Sequence, residues 1–280
     1  MTTSLKQVLV HLDATHATPR RLAAARHIAD QHGAALNALY AVTPAIFEIP
    51  FAPEVGPMAV KDLMQLDEQR RADVLKAFDK LMAVPGPMAN WSHVNDAPIV
   101  GAFAQQALFA DLLVLGQRQA DDEDASGVPP DFVESVLAAS GRPAIVVPYV
   151  GWSLPLGDTI AIAWKEAPEA VRAVTAALPF LRRAKRVHVL TWDSESVPDI
   201  GGQVLDLDHY LKAHGVNASW HRGGPEPREL GELLLSRVFD VGADLLVMGC
   251  YGHSRAREWV LGGASRSVLQ SMTLPVLMSH

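Results

Sequence analysis

Apolar residues along this chain fall into short runs separated by longer segments with helical spacing. Val8-Leu-Val-His-Leu12 is the first run, with the apolar continuity of a buried strand. Thr18 to His32 then repeats apolar positions at helical spacing, and Pro19 suits a first helical turn, where a missing N–H costs nothing. Gly33 ends that helix ahead of a second strand, Ala35 to Val42. The same series recurs at Thr159-Ile-Ala-Ile-Ala-Trp164, Pro168 to Arg183 and Lys185 to Trp192. Asp111-Leu-Leu-Val-Leu-Gly116 matches Asp244-Leu-Leu-Val-Met-Gly249. Ser135-Val-Leu before Pro143-Ala-Ile-Val-Val147 matches Ser267-Val-Leu before Pro275-Val-Leu-Met278, with the same serine-to-proline interval. Matched blocks in the same order identify a tandem repeat.

Each half therefore predicts five strands alternating with four helices. In the second half the strands fall near 159–164, 185–192, 216–221, 244–249 and 274–278. That alternation implies a parallel sheet covered by helices on both faces. The domains expected are 1–148 and 158–280, joined by a linker over 149–157 that is rich in Gly, Pro and Trp. The interval between matched positions is 152 from Asp13 to Lys165 but 133 from Gly116 to Gly249, so the first half carries about 19 extra residues. Thr43 to Met58 and the helix after it are the expected location. With Phe47, Ile49, Pro50 and Phe51, this insert is too apolar for a plain solvated loop, and reads as a flap folded on its own domain or an interaction surface.

In sheets of this kind, ligands bind beyond the carboxyl ends of the strands, where the strand order switches. Gly249-Cys-Tyr-Gly252 lies at such an end, and Gly262-Gly263 precedes Ala264-Ser-Arg-Ser-Val-Leu-Gln270, a predicted helix start. Glycines there let the backbone approach a phosphate with N–H groups and a helix amino end facing it. They serve equally as tight turns that need glycine, and the pattern alone leaves both readings open.

Composition narrows the class. The 280 residues are 49% hydrophobic and 20% charged, as in a globular protein with a sizeable core. A formal net charge of −7 gives no basic field for nucleic acid or an anionic membrane surface. Cys250 stands alone, so no intrachain disulfide forms and a cysteine-based zinc site is not expected. No apolar run reaches transmembrane length, and the opening residues lead straight into a strand, so a cytoplasmic protein is expected. P-loop and Gly-x-Gly-x2-Gly patterns are absent, as is any His-Glu-x2-His pair, and neither a catalytic residue nor a metal site is assigned. The Arg182-Arg-Ala-Lys-Arg186 cluster suits the carboxyl end of a helix. Trp164 reads equally as a base-stacking residue or as core.

Gly249, Gly252 and Gly262 fit the spacing Gly-x2-Gly-x9-Gly that precedes the fourth helix of the universal stress proteins, and with the repeat the whole chain resembles that family in its tandem form. The resemblance implies two five-stranded parallel α/β domains of the adenine nucleotide alpha hydrolase-like, Rossmann-like class. It also implies ATP, alone or with Mg²⁺, across the ends of the first and fourth strands. Carried over to this chain, Ala163, Trp164 and Lys165 end the first strand of the second half. Gly249, Gly252 and His253 would face ribose and phosphates, and Gly262, Gly263, Ala264 and Ser265 the outer phosphates. Gly263 stands where the family carries Ser or Thr, and Lys165 where it carries Asp, which Asp13 retains in the first half.

The first half replaces the later glycines with Gln119 and Pro130-Asp131, and sets Asp121-Asp-Glu-Asp124 where a triphosphate would lie. Each such charge opposes an anion by about 1 kcal/mol at close range even in water. Nucleotide is therefore expected in the second half only, in a stress-related regulatory protein with at most slow ATP hydrolysis. The alternative is a partner-binding protein of the same fold that has lost nucleotide. The proline-led final strands of the halves are expected to pair within one chain, as a pseudo-dimer, with a homodimer of whole chains open.

Overall fold

The computed structural model describes residues 4–48, 56–94, 98–119, 121–122, 125, 127–151, 155–193, 205–225, 229–250 and 263–280. The chain divides after Gly151 into two compact units. The first contains strands β1 (Gln7–Leu12), β2 (Ala35–Tyr40), β3 (Ala89–His93), β4 (Leu112–Gly116) and β5 (Ala144–Val147). Its helices are α1 (Thr18–His32), α2 (Pro57–Met82), α3 (Ile99–Ala107) and α4 (Phe132–Ser140). All pairings are parallel, and the strand order is β3-β2-β1-β4-β5. The chain moves outward from β1 through α1 and α2, then returns through α3 and α4. Right-handed crossovers in opposite directions put these helix pairs on opposite faces of the sheet. Val8, Val10 and Leu112 to Leu115 are fully buried, which is why β1 and β4 are apolar throughout.

The second unit repeats the pattern with β6 (Thr159–Trp164), β7 (Arg186–Asp193), β8 (Ser219–Pro225), β9 (Leu245–Gly249) and β10 (Val276–Ser279). Its helices are α5 (Pro168–Leu181), α6 (Leu207–Ala213), α7 (Leu230–Asp240) and α8 (Gly263–Ser271), and its parallel sheet runs β8-β7-β6-β9-β10. The fold class expected from the sequence is the one observed in each half. The extra length of the first half lies in α2, 26 residues against the seven of α6. In the described residues the apolar insert forms a short turn, Ala45–Phe47, and the start of α2 at Pro57. Residues 49–55 lie outside them.

The repeated aspartates have a structural cause. Asp111 Oδ2 accepts the backbone N–H groups of Lys6 (2.7 Å) and Gln7 (2.9 Å) at the start of β1. Asp244 accepts those of Gly157 (2.6 Å), Asp158 (3.1 Å) and Thr159 (3.1 Å) at the start of β6. In each half a carboxylate ahead of the fourth strand caps the first, and so fixes the register of the two strands that flank the candidate site.

The basic cluster lies at the carboxyl end of α5, with Arg182 as its C-cap. α5 ends at Leu181, and Arg182 leaves it to meet the carbonyl (3.2 Å) and ring (3.0 Å) of His214. Lys185 pairs with Asp158 (2.6 Å), and Arg186 donates to the Thr159 hydroxyl. These cations tie α5 to the turn after α6 and to the start of β6. Placement at a helix end follows from local spacing, whereas these acceptors, 27 to 32 residues away, do not.

Candidate functional site

In the first half, the switch point lies between the carboxyl ends of β1 and β4. His11, near the end of β1, is buried among aromatic rings, 4.3 Å from Phe132 and 5.4 Å from Phe103 between centroids. Its Nε2 donates to the Ala41 carbonyl (2.8 Å), which leaves Nδ1 as the acceptor facing Arg21 (3.4 Å). Burial, and then the Arg21 charge, lower its pKa to about 4, so the ring is neutral at pH 7.

Asp13 follows the strand and is 4% exposed. Its Oδ1 lies 2.7 Å from Arg21 Nη2 and accepts from the hydroxyls of Thr15 (2.5 Å) and Thr18 (2.6 Å). Burial opposes the charged form. The Arg21 charge, that of His11 at the low pH where its ring is protonated, and the Thr15 and Thr18 hydroxyls together overcome burial and hold this carboxyl well below the usual range.

Arg21 itself is 3% exposed and lies over Gly116, where any Cβ would collide with its guanidinium. These groups, with Gln117 and Phe132, line a recess of about 40 Å³. A single water needs about 10–15 Å³ of such space, so the recess is too small for a nucleotide. Asp122, from the acidic run, stands on its rim.

The equivalent point of the second half lies between β6 and β9, which pair through Ile160–Ile162 and Leu245–Val247. This pairing sets Ala163 and Trp164 beside Gly249, with Lys165 exposed just beyond the strand. Trp164 is half-buried. A Cβ on Gly249 would stand 2.8 Å from the backbone nitrogen of Ala170 and 2.7 Å from Glu169 Cγ. Gly249 thus packs closely under the first turn of α5, a role beyond the two that the sequence left open, and it is not among the glycines of positive φ. Cys250 is buried, its N–H donating to the Ser279 carbonyl (2.8 Å) and its carbonyl meeting His280 Nδ1 (3.1 Å).

Gly263, Ala264 and Ser265 form the first turn of α8, exposed, half-buried and buried in that order. Gly252, His253 and Gly262 lie outside the described residues, as does the rest of 251–262. Among the described residues no group of His, Cys, Asp or Glu could hold a metal ion, and no helix is long and apolar enough to cross a membrane.

The two ladders allow position-by-position comparison, since Val8 pairs with Leu112 as Ile160 pairs with Leu245. His11 corresponds to Ala163, and Asp13 to Lys165. Counting from the helix-opening prolines Pro19 and Pro168, Arg21 corresponds to Ala170. Counting back from Pro143 and Pro275, Phe132 corresponds to Ala264. The first half fills its cleft with its own side chains, and the second carries small ones at the same points. Sequence reasoning passed over His11, Arg21 and Phe132. The available signal was a polar residue inside an apolar run, His11 in β1 and Arg21 on the buried face of α1 beside Leu22 and Ala25.

No protein-family model matches the sequence, and no curated protein matches it. Solved structures do. A universal stress protein from Archaeoglobus fulgidus is similar over 98% of this chain and 95% of its own, with a TM-score of 0.65 and 16% identity. A protein of unknown function from Pseudomonas aeruginosa is similar over 98% of this chain and 92% of its own, with a TM-score of 0.59 and 14% identity.

Proposed function

We propose that this chain, which has the fold of a universal stress protein across both halves, is a cytoplasmic regulatory member of that family. In this reading it binds ATP or another adenine nucleotide in its second half and has no dedicated catalytic reaction. The observation that carries the assignment to the second half is the contrast between the two switch points. His11, Arg21 and Phe132 fill the first, whereas Ala163, Ala170 and Ala264 hold the corresponding positions of the second. A bound nucleotide would run from the end of β6, with Lys165 beside a phosphate, toward the first turn of α8. The N–H groups around Gly249, Gly252 and His253 would serve ribose and phosphates, and Gly262, Gly263, Ala264 and Ser265 the outer phosphates.

Thermal unfolding with ATP, ADP and AMP, each with and without Mg²⁺, tests this reading. A ligand present at 100 times its Kd adds about 2.7 kcal/mol. A saturable rise in melting temperature is expected, abolished by Gly252→Glu with the unliganded fold intact. No rise with any of the three at millimolar concentration sinks it.

A second reading, a partner-binding protein of the same fold without nucleotide, has one observation in its favour: packing against Glu169 and Ala170 already accounts for Gly249. We also propose that the final strands β5 and β10 pair within the chain as a pseudo-dimer. Fragments 1–151 and 152–280, co-expressed, should then copurify, and independent elution would refute the pairing.

A further inference from the structure

A carboxylate buried at the end of a strand needs a cation or several donors, since leaving it alone costs several kcal/mol. Asp13 has both, arranged around a single oxygen: Thr15, Thr18 and the Arg21 guanidinium. Arg21 Nη2 also donates to the Thr18 hydroxyl (2.6 Å), and Nη1 faces His11 Nδ1 (3.4 Å). The planar cation therefore sits in a nest of a carboxylate, a hydroxyl and a neutral imidazole, as a bound guanidinium ligand would. It occupies the room over Gly116.

The turn that supplies the nest is peculiar to this half. Asp13 and Pro19 are separated by five residues that include Thr15 and Thr18, whereas Glu166 and Ala167 alone separate Lys165 from Pro168. The shorter turn has no hydroxyl to offer, no carboxylate at its start, and alanine where the guanidinium would originate.

From this geometry we infer that Arg21 is the resident ligand of the first half's cleft, and that with His11 and Phe132 it excludes nucleotide there and confines the chain to one nucleotide site. Among the described residues the nest is a feature of the first half alone; the stoichiometry rests on the nucleotide reading proposed above. Building a substitute for the occupant into one half of a duplicated fold is a form of specificity by exclusion.

Two experiments test this and separate it from that reading. In Arg21→Ala the nest loses its occupant, and methylguanidinium should bind in its place. A saturable, millimolar rise in the melting temperature of the variant is expected, with none in the wild type. No rise in the variant, or an equal rise in both, overturns the inference whether or not ATP binds anywhere. The second experiment leaves Arg21 untouched, so it decides even if that variant does not fold. Ala163→His/Ala264→Phe installs the first half's bulky residues in the second. ATP affinity measured by titration calorimetry should fall by about tenfold or more, with the unliganded melting temperature retained. Unchanged ATP affinity overturns the exclusion mechanism and leaves nucleotide binding standing. Absence of ATP binding by the wild type removes the nucleotide reading, and the methylguanidinium result then decides the inference alone.

Discussion

At the scale of single residues, the buried cluster at the end of β1 makes stability depend on pH. The His11 pKa falls from 6.5 to about 4 on folding, so the folded state prefers the neutral ring. Its contribution is fully present above pH 6.5 and is lost progressively as pH falls toward 4. The interval limits the loss to about 3 kcal/mol. Asp13, whose carboxyl is also depressed, adds a loss only at lower pH. Urea unfolding of the wild type between pH 7 and 4 should show this decline, and His11→Gln should flatten it. An unchanged slope in the variant would mean that His11 is not the titrating group. Histidine burial does not follow from local spacing, because the groups that create it, Ala41, Phe103 and Phe132, come from three other parts of the chain.

At the scale of elements, α2 is anchored by a residue from another helix. Arg26 of α1 is 7% exposed and donates to the carbonyls of Leu81 (2.7 Å), Val84 and Pro87 (2.9 Å), where α2 ends and the chain turns toward β3. Helix carboxyl ends leave carbonyls short of partners, and here a guanidinium serves one of them, Leu81, with two carbonyls of the turn that follows, Val84 and Pro87. Replacing it by alanine strips these acceptors in a half-buried setting. Arg26→Ala should therefore destabilise the chain by about 2–4 kcal/mol in denaturant unfolding, and a loss within experimental error would show that solvent replaces the contact. The sequence located α1 and the strands around it, since their apolar periodicity is strong. It placed the extra length of the first half at an apolar insert and the helix after it, and α2 carries that length because its long exposed face needs no core to extend it.

At the scale of the whole molecule, the two units repeat one design and differ at its switch point. If nucleotide binds as proposed, its effect should be local. Hydrogen exchange with saturating ATP should slow in β6, β9 and α8 and remain unchanged in β1 and β4. Protection in the first half alone, or equally in both, would contradict the asymmetry between Arg21 and Ala170. Such a measurement also reports on residues 251–262, where Gly252, His253 and Gly262 lie.

The sequence by itself determined the tandem repeat, the parallel α/β class and the approximate strands, because hydrophobic periodicity and repeated punctuation by Gly, Pro and Asp are local properties. It also identified the second half's glycine-rich stretch as the point of interest. Only the tertiary structure decided that Arg21 lies on Asp13 over Gly116, that Gly249 is glycine under the first turn of α5, and that Asp111 and Asp244 cap strands more than 80 residues away. Apart from the Asp13–Arg21 pair, eight residues apart, each is a contact between segments remote in the chain, and all draw their energy from burial and charge pairing that exist only once the sheet has assembled.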